Sequence, residues 1–446
     1  MKHYKEYSFC DYLQRMIDIK DYRANPQKYI DSAVAKNATI DRTQFDKLDT
    51  KRRELLVQVE STLAHKNTVS KQIQDLKKSW QNAQESIAAM QTLKQDLSTA
   101  QDELQQVEHE WMSIVRRIPN PIADDVPVWK TDEENVVLEK VNPKPEFSFE
   151  PQPHRDILEK LWYLDQERAV KLSGSRFQIL RGPLAQLQIA LTHRVSQKLA
   201  DKWFEVTIVP QLVKEDAMYT TWFLPNDSTN LYRVNPKSPT PQEDWEEDDL
   251  WLIGTAEVPL ITQHQNEVFA KNTLPKRYVW VSSCFRREAW TYWRDTKWLI
   301  RLHQFEKVEM VSFVRPEDSI KEHEMIREIE EEIFTELGIH FQRVLICSWD
   351  LGDPAAKKYD LEAWLPGIGK YVEVTSASNT TDYQTRRGNI KYTTDEWKKL
   401  VCHSLNGTAL AMSRALAAIV ETYQQEDGSV RIPEVLKVYF TWKETL

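Results

Sequence analysis

The chain has 446 residues, a length that predicts two domains. Apolar residues make up 41% of the sequence, yet no run approaches the ~20 residues of a membrane span. Because the first residues also lack the apolar stretch of a signal peptide, we expect a cytoplasmic protein. The net charge of −9 counts against nucleic-acid binding by the whole surface but leaves room for a local basic patch. The cysteines form no CxxC pair, which indicates buried thiols and neither disulfides nor a zinc site.

An N-terminal segment from residue 41 to about 117 is almost free of helix breakers. Its second half carries an unbroken heptad seam, and its first half fits a similar seam with polar interruptions. The seam residues of the second half are Met90, Leu93, Leu97, Ala100, Leu104, Val107, Trp111 and Ile114. The polar sequence KKSWQNAQES separates the halves and predicts the turn of an antiparallel helical hairpin that projects as an arm. The seam leaves open whether this arm binds nucleic acid or joins subunits.

Pro119 ends the helical pattern and sets the domain boundaries. We predict an N-terminal domain over residues 1–117, a linker over 118–150 and a second domain over 151–446. The second domain mixes helical patterns with short strands and shows no regular βαβ alternation, which favours an α+β domain on a largely antiparallel sheet. The strand patterns lie at 204–209, 278–282, 308–313 and 370–374. Neither GxGxxG nor GxxxxGKS/T occurs, so the usual glycine-rich nucleotide loops are absent.

Three segments of the second domain carry the side chains of a candidate active site; they are 254–260, 282–309 and 405–414. The middle segment predicts two strands joined by a charged loop, which would hold Arg286 beside Glu309 and Phe305. Arginine binds phosphate through two parallel hydrogen bonds, and an aromatic ring stacks on a purine. In the last segment we predict a turn at Gly407, followed by a helix that carries Arg414 towards the same phosphates. Paired arginines with nearby carboxylates suit the formation of an adenylate.

The segment Phe285-Arg286-Arg287-Glu288 resembles motif 2 of class II aminoacyl-tRNA synthetases. The sequences TAEVPL, LIRLHQFEKVE and LNGTALAMSR are similar to those of seryl-tRNA synthetases in particular, and the resemblance covers most of residues 150–440. It implies a class II fold, with an antiparallel sheet flanked by helices and an N-terminal coiled-coil arm that binds tRNA. It also implies activation of L-serine with ATP and Mg²⁺, and transfer of serine to tRNA(Ser) and to tRNA(Sec). Residues 182–210 resemble motif 1, which implies a homodimer; no membrane or DNA partner is expected.

The resemblance also implies a role for each matching side chain. The serine-binding residues would be Thr255, Ala256, Glu257, Arg286, Glu309, Asn406 and Thr408. The ATP-binding residues would be Arg286, Arg287, Glu288, Phe305, Glu373, Val374, Thr375, Ser376 and Arg414. Arg286, Glu309 and Arg414 would be the catalytic residues, while Glu373 and Ser376 would be Mg²⁺ ligands. Because the serine carboxylate itself attacks the α-phosphate, no protein nucleophile is needed, and we interpret His303 as structural.

The composition is unusual in having 10 glycines and 16 tryptophans, although glycine ordinarily makes up ~7% of a protein. Tryptophan stands where the family has glycine in the motif 2 loop and elsewhere. These residues are Trp290, Trp293, Trp298, Trp222 and Trp349, with Trp80, Trp129, Trp162, Trp203 and Trp280 as further candidates. An exchange confined to one pair of residue types favours the hypothesis that the gene reads UGA as glycine while this sequence reads it as tryptophan. The alternative is a redesigned or inactive protein.

Two other functions are compatible with parts of the sequence. A synthetase-like enzyme that loads an amino acid onto a carrier protein would share the catalytic segments, but it would not need the long arm. A non-catalytic coiled-coil dimer would tolerate tryptophans in the motif 2 loop. The side chains that count against the second alternative are Arg286, Glu288, Glu309, Glu373 and Arg414, all of which are intact.

Overall fold

The computed structural model describes residues 16–234, 249–288, 299–441 and 443–446. Its contacts divide the chain into two compact units. The smaller unit contains Ala38–Ile118, and the larger contains Lys20–Asn37 together with Pro119–Leu446. None of the helices in the described ranges combines the length and the apolar character that a membrane crossing requires.

The helices of the described residues are α1 (Ile19–Ala24), α2 (Pro26–Ala35), α3 (Arg42–Lys78), α4 (Gln84–Val115), α5 (His154–Lys160), α6 (Gln166–Ser173), α7 (Gly182–Asp201), α8 (Glu215–Thr220), α9 (Glu257–Thr262), α10 (Ser319–Glu336), α11 (Tyr383–Arg387) and α12 (Met412–Tyr423). The strands are β1 (Val136–Val141), β2 (Glu205–Val206), β3 (Leu212–Lys214), β4 (Tyr232–Val234), β5 (Leu250–Leu252), β6 (Val268–Phe269), β7 (Lys276–Phe285), β8 (Gln304–Val314), β9 (Phe341–Leu345), β10 (Lys357–Leu365), β11 (Lys370–Asn379), β12 (Lys391–Thr393), β13 (Lys399–Val401) and β14 (His403–Ala411).

The larger unit includes α2 and all but the first residue of α1, which the predicted boundaries assign to the N-terminal domain. The reason is a buried lysine at the end of α2. Lys36 donates its ammonium hydrogens to the carbonyl oxygens of Gly352, Asp353 and Ala355, at 3.2, 3.1 and 2.7 Å. Burial lowers the pKa of Lys36 to about 7. Because these contacts lie outside the heptad pattern, this boundary could not be predicted from periodicity.

The smaller unit is an antiparallel helical hairpin, as the heptad pattern predicts. Asp41 caps the start of α3 by accepting a hydrogen bond from the backbone N–H of Gln44 at 2.9 Å. Between the two helices, Arg52 donates to Glu108 at 3.2 Å, and both side chains are buried. The Arg52 guanidinium also lies 5.0 Å from the centroid of the Trp111 ring. One polar interruption of the seam, Arg52, is therefore a buried and paired charge.

The core of the larger unit is an eight-stranded sheet in the order β1-β9-β10-β11-β14-β8-β7-β2. All neighbouring strands are antiparallel except β2 and β7, which are parallel. This arrangement confirms the predicted α+β class with a mainly antiparallel sheet, and the predicted strand patterns correspond to β2, β7, β8 and β11. Strand β1 lies in the predicted linker and pairs with β9 at the sheet edge, so this segment contributes to the fold instead of merely connecting domains.

Two central strands each contain one extra residue relative to their neighbour. In β11 the extra residue is Val374, because Glu373 and Thr375 oppose consecutive residues of β10. In β14 the register shifts at Ala409 against β8. Residues three apart in a regular strand point to opposite faces, but a bulge restores them to the same face. The bulge in β11 therefore lets Glu373 and Ser376 line the same cleft.

Three helices end at a tryptophan whose backbone is left-handed. Trp80, Trp162 and Trp203 follow α3, α5 and α7 and have φ values of 56°, 58° and 67°. In each case the tryptophan N–H and the next N–H bond back to the last helical turn, which is the Schellman motif. Helix α10 ends with the same bonds around Gly338, whose φ is 67°. The three indoles are 95%, 80% and 84% exposed, so packing does not offset the ~1–2 kcal/mol that this conformation costs a residue with a Cβ.

Two further tryptophans share this backbone conformation. Trp397, with φ 61°, donates its N–H to the Thr394 carbonyl in the turn between β12 and β13, at a position that favours glycine. Trp222, with φ 87°, follows α8. Trp397 was not among the tryptophans predicted to stand in place of glycine. The candidates Trp129, Trp280 and Trp349 are not among the described residues with positive φ, and Trp290, Trp293 and Trp298 lie outside the described residues.

Candidate active site

A cleft of about 410 Å³ opens where β11, β14, β8 and β7 lie side by side. Most of the predicted site residues line it, although they come from distant parts of the sequence. They are Glu257, Arg286, Glu288, Phe305, Glu309, Glu373, Val374, Thr375, Ser376, Asn406, Thr408 and Arg414. The other three predicted residues, Thr255, Ala256 and Arg287, are not part of the cleft lining. Thr255 and Ala256 are buried behind it.

One end of the cleft contains two carboxylates, Glu257 and Glu309, that both accept hydrogen bonds from neutral side chains. Glu257 lies at the start of α9 and accepts hydrogen bonds from Gln384 at 2.7 Å and from Asn406 at 2.8 Å. Glu309 lies on β8 and accepts a hydrogen bond from the Thr255 hydroxyl at 3.1 Å. Thr255 therefore positions Glu309 from behind, even though it does not line the cleft itself.

These carboxylates are poorly solvated. Burial raises the pKa of Glu257 to about 7, and the nearby charge of Glu309 adds to the effect. Burial also raises the pKa of Glu309, although an ion pair with Lys307 opposes it. A cation between the two carboxylates would favour their ionised forms. This end of the cleft therefore suits an ammonium group.

Arg286 follows the end of β7 and lies over an aromatic ring. Its Nε donates to the carbonyl oxygen of Gly254 at 3.2 Å, and its guanidinium is 5.5 Å from the centroid of the Phe305 ring. The predicted strand-loop-strand hairpin thus brings Arg286 and Phe305 together, since Cys284 is directly opposite Phe305 in the β7–β8 pairing. The side chain of His303 bonds to the Arg286 carbonyl oxygen at 2.8 Å. That contact fits the structural role predicted for His303.

Glu288 and Arg287 point in different directions. Glu288 has a left-handed backbone with φ 50°, and its carboxylate accepts a hydrogen bond from Arg301 at 3.0 Å inside the cleft. Arg287 donates its backbone N–H to the Asn230 carbonyl, and its guanidinium lies 6.0 Å from the centroid of the Tyr232 ring. A strained backbone at a binding cleft is typical of functional residues. The placement supports a binding role for Glu288 and does not support one for Arg287.

The opposite end of the cleft carries Arg414 and Glu373. The Arg414 Nη1 donates to the backbone carbonyl of Glu373 at 2.8 Å and lies 3.2 Å from its carboxylate. Burial would raise the pKa of Glu373, but Arg414 and Lys358 outweigh that effect and hold the pKa below its usual value. An ionised carboxylate, an arginine and the Ser376 hydroxyl therefore meet at this end. Such a set suits phosphates and a hard cation.

Several side chains of the cleft were not predicted, among them Arg301, Lys307, Lys358, Ser378 and Ser413. Lys307 could have been predicted from the sequence, because residues two apart in a strand share a face and Lys307 lies between Phe305 and Glu309 on β8. Gln384 also went unnoticed, since only the fold brings α11 to Glu257. The prediction of a turn at Gly407 was wrong. Gly407 lies within β14, where a Cβ would come within 2.3 Å of the Ile326 side chain on α10, so close packing is what requires glycine.

The fold and this cleft define a class II aminoacyl-tRNA synthetase, and residues 232–423 match the profile described as "tRNA synthetase class II core domain (G, H, P, S and T)". Residues 16–122 match the profile described as "Seryl-tRNA synthetase N-terminal domain". The chain is 41% identical over 436 residues to a serine–tRNA ligase of Staphylococcus saprophyticus, covering 97% of this chain and 99% of the relative. The chain therefore belongs to the seryl-tRNA synthetase family, as the sequence motifs predict.

Solved structures of this family superimpose on nearly the whole chain. The seryl-tRNA synthetase of Pyrococcus horikoshii, solved with ATP, is 35% identical with a TM-score of 0.85, over 97% of this chain and 99% of that one. The cytoplasmic serine–tRNA ligase of Naegleria fowleri, solved with AMP, is 28% identical with a TM-score of 0.80, over 97% and 98% of the two chains. Both relatives therefore hold an adenine nucleotide on the fold described above.

Proposed function

We propose that this chain activates L-serine with ATP, forms seryl-adenylate and pyrophosphate, and transfers serine to tRNA(Ser). The observation that carries the proposal is the acidic end of the cleft, where the buried Glu309 and the half-buried Glu257 lie close to Arg286. Serine offers an ammonium group, a hydroxyl and a carboxylate. Glu257 suits the ammonium group, Glu309 suits the hydroxyl, and Arg286 suits the carboxylate. Thr408 and Asn406 line the same space.

In the first step the serine carboxylate attacks the α-phosphate of ATP, and the bond to the pyrophosphate oxygen breaks. Arg286 neutralises charge on the attacking carboxylate and the α-phosphate, while Arg414 binds the outer phosphates. The adenine stacks on Phe305, with Glu288 at its edge. Catalysis then consists of positioning and charge stabilisation, so no protein nucleophile is required. In the second step the terminal adenosine of the tRNA accepts the seryl group and AMP leaves.

The Glu373 carboxylate and the Ser376 hydroxyl fit a Mg²⁺ ion, because both are hard oxygen donors on one face of β11. In the described residues no group of three His, Cys, Asp or Glu side chains could hold a metal alone. ATP phosphates would therefore have to supply further ligands. When bound, the ion neutralises phosphate oxygens, and the two side chains hold the triphosphate in a fixed orientation.

Three further assignments belong to the proposal. The hairpin of α3 and α4 binds tRNA(Ser), and tRNA(Sec) as well. Two copies of the chain associate through residues 182–210, where Ile189 and Ile208 are exposed and a second subunit would cover them. The protein acts in the cytoplasm.

The first test compares the full chain with a variant in which a short Gly/Ser linker replaces Arg42–Val115. In ATP–pyrophosphate exchange both proteins should depend on L-serine and differ by less than about threefold, because the cleft lies wholly in the larger unit. In aminoacylation the variant should lose at least about tenfold in kcat/KM for tRNA, since the arm supplies phosphate contacts. Exchange driven best by another amino acid would contradict serine activation. Normal tRNA charging by the variant would assign the arm to subunit association.

The KM for serine should depend on pH in a predictable direction. Glu257 must be ionised to bind the ammonium group, and its pKa is about 7 in the free protein. Acid protonates it, so the KM for serine should rise roughly tenfold between about pH 8 and about pH 6. The measurement is serine-dependent exchange at saturating ATP, and the KM for ATP on the same samples is the control. A serine KM that stays flat while activity persists would contradict the role of Glu257.

A further inference from the structure

Glu330 is a buried carboxyl group that the proposed mechanism does not use. It lies on α10, which packs against β11 and β14. Its Oε2 accepts a hydrogen bond from the Thr375 hydroxyl at 2.7 Å. Its Oε1 has no hydrogen-bond partner within the ranges that the structure describes, and a Cβ on Gly407 would lie only 2.8 Å from it. Glu330 therefore bonds to a side chain of β11 and occupies the space beside Gly407 of β14, which only a residue without a Cβ leaves open.

The contact lies where the two strands stop pairing. Strands β11 and β14 pair over 377–379 and 405–407. Beyond those residues β11 bulges at Val374 and β14 bulges at Ala409. The cleft residues Glu373 and Ser376 lie on the part of β11 that pairs with β10 but not with β14. Thr408 lies on the part of β14 that pairs with β8 but not with β11. Ladder hydrogen bonds between β11 and β14 do not fix the separation of the two strands there, which leaves that role to side-chain packing.

We propose that Glu330 is a positioning residue that ties β11 to β14 from behind the cleft. It thereby sets the distance between the nucleotide-facing pair Glu373 and Ser376 and the serine-facing Thr408. The inference rests on the proposed function, since it assigns ATP to β11 and serine to β14. It adds a residue of α10 that contacts neither substrate.

The buried surroundings of Glu330 favour its neutral carboxylic acid form. Burial raises the pKa of Glu330 well above its usual value, and the charges of Asp360 and Glu309 raise it further against the opposing hydrogen bond from Thr375. An isolated buried carboxylate would be costly, so the carboxylic acid is the stable form. Glutamine has the same shape and can still accept the hydrogen bond from Thr375. Glu330→Gln is therefore the conservative substitution at this site, and Glu330→Leu is the disruptive one.

The test measures the KM for ATP in serine-dependent exchange and the Kd for ATP by calorimetry. Glu330→Leu and Thr375→Val should each raise both constants about tenfold, because small displacements of positioned groups weaken binding strongly. The double variant should be no worse than either single variant, since both remove one hydrogen bond. Glu330→Gln should stay within about twofold of the unmodified chain.

Glu322→Gln is the matched control. Glu322 is another buried carboxylate of α10, but it binds Arg277 on β7 at 2.6 Å. This variant should lower the melting temperature and leave the KM for ATP unchanged. If Glu330→Leu lowers the melting temperature as the control does without changing KM or Kd, or if Glu330→Gln weakens ATP binding as much as Glu330→Leu, the positioning role is overturned. An unmodified chain without serine-dependent exchange would overturn the proposed function instead, and the calorimetric comparison would still test Glu330.

Discussion

The full chain should activate L-serine with a kcat/KM about 10⁴-fold above that for L-alanine. The two amino acids differ by one hydroxyl, and we place that hydroxyl on Glu309. Glu309 is 1% exposed and accepts a hydrogen bond from Thr255. Alanine would leave its remaining carboxylate oxygen without the donor that serine supplies. Sites built to bind a hydroxyl reject the analogue that lacks it far more strongly than apolar pockets reject a missing methyl group.

The measurement is ATP–pyrophosphate exchange with alanine freed of serine contamination. Glu309→Ala serves as the internal comparison, because it removes the group that distinguishes the two substrates. In this variant the activity with serine should fall steeply while the activity with alanine changes little, so that the ratio collapses towards about tenfold. A ratio below about 10² in the unmodified chain would show that another feature sets the specificity.

Replacing Trp162, Trp203 and Trp397 together by glycine should raise the free energy of unfolding of the larger unit by about 3 kcal/mol, or roughly 100-fold in the equilibrium constant. All three residues have positive φ and exposed indoles. Glycine adopts this conformation without a Cβ penalty, and its greater freedom in the unfolded chain offsets only part of the gain. Three separated sites should contribute nearly additively. Denaturant titration of the triple variant measures the change.

Trp251→Gly provides the contrast, because Trp251 is buried on β5 and is not among the described residues with positive φ. The same exchange of residue types should destabilise the protein at that position by about 3–5 kcal/mol. A triple variant no more stable than the unmodified chain would contradict the interpretation of the left-handed tryptophans. The recoding hypothesis has its own test in the gene and the native protein. UGA codons at the tryptophans that stand in place of glycine, such as Trp290, Trp293 and Trp298, would support it if the native peptides contain glycine there. UGG codons, or an intact mass that includes 16 tryptophans, would contradict it.

The sequence predicted those features that depend on local periodicity. The heptad seam predicted the helical hairpin. The segment around Arg286 predicted the paired strands β7 and β8, which bring Arg286 close to Phe305. The bulge at Val374 could not be predicted, since it depends on the register of β11 against β10. The contact of Gln384 with Glu257 depends on the path of the chain in space. Trp397 escaped notice for a similar reason, because the turn conformation that makes it unusual is visible only in the backbone.

The buried ion pair of Arg52 and Glu108 fixes the register of α4 against α3, and with it the length of the hairpin. Sliding α4 by one heptad along α3 would move the helices ~10 Å past each other, because each residue adds 1.5 Å of rise. An apolar seam alone tolerates such a slip, since one heptad resembles the next. The slip would separate two charges that are both buried, at a cost of ~3–5 kcal/mol. One ion pair thus sets how far the turn at Trp80 stands from the base of the hairpin.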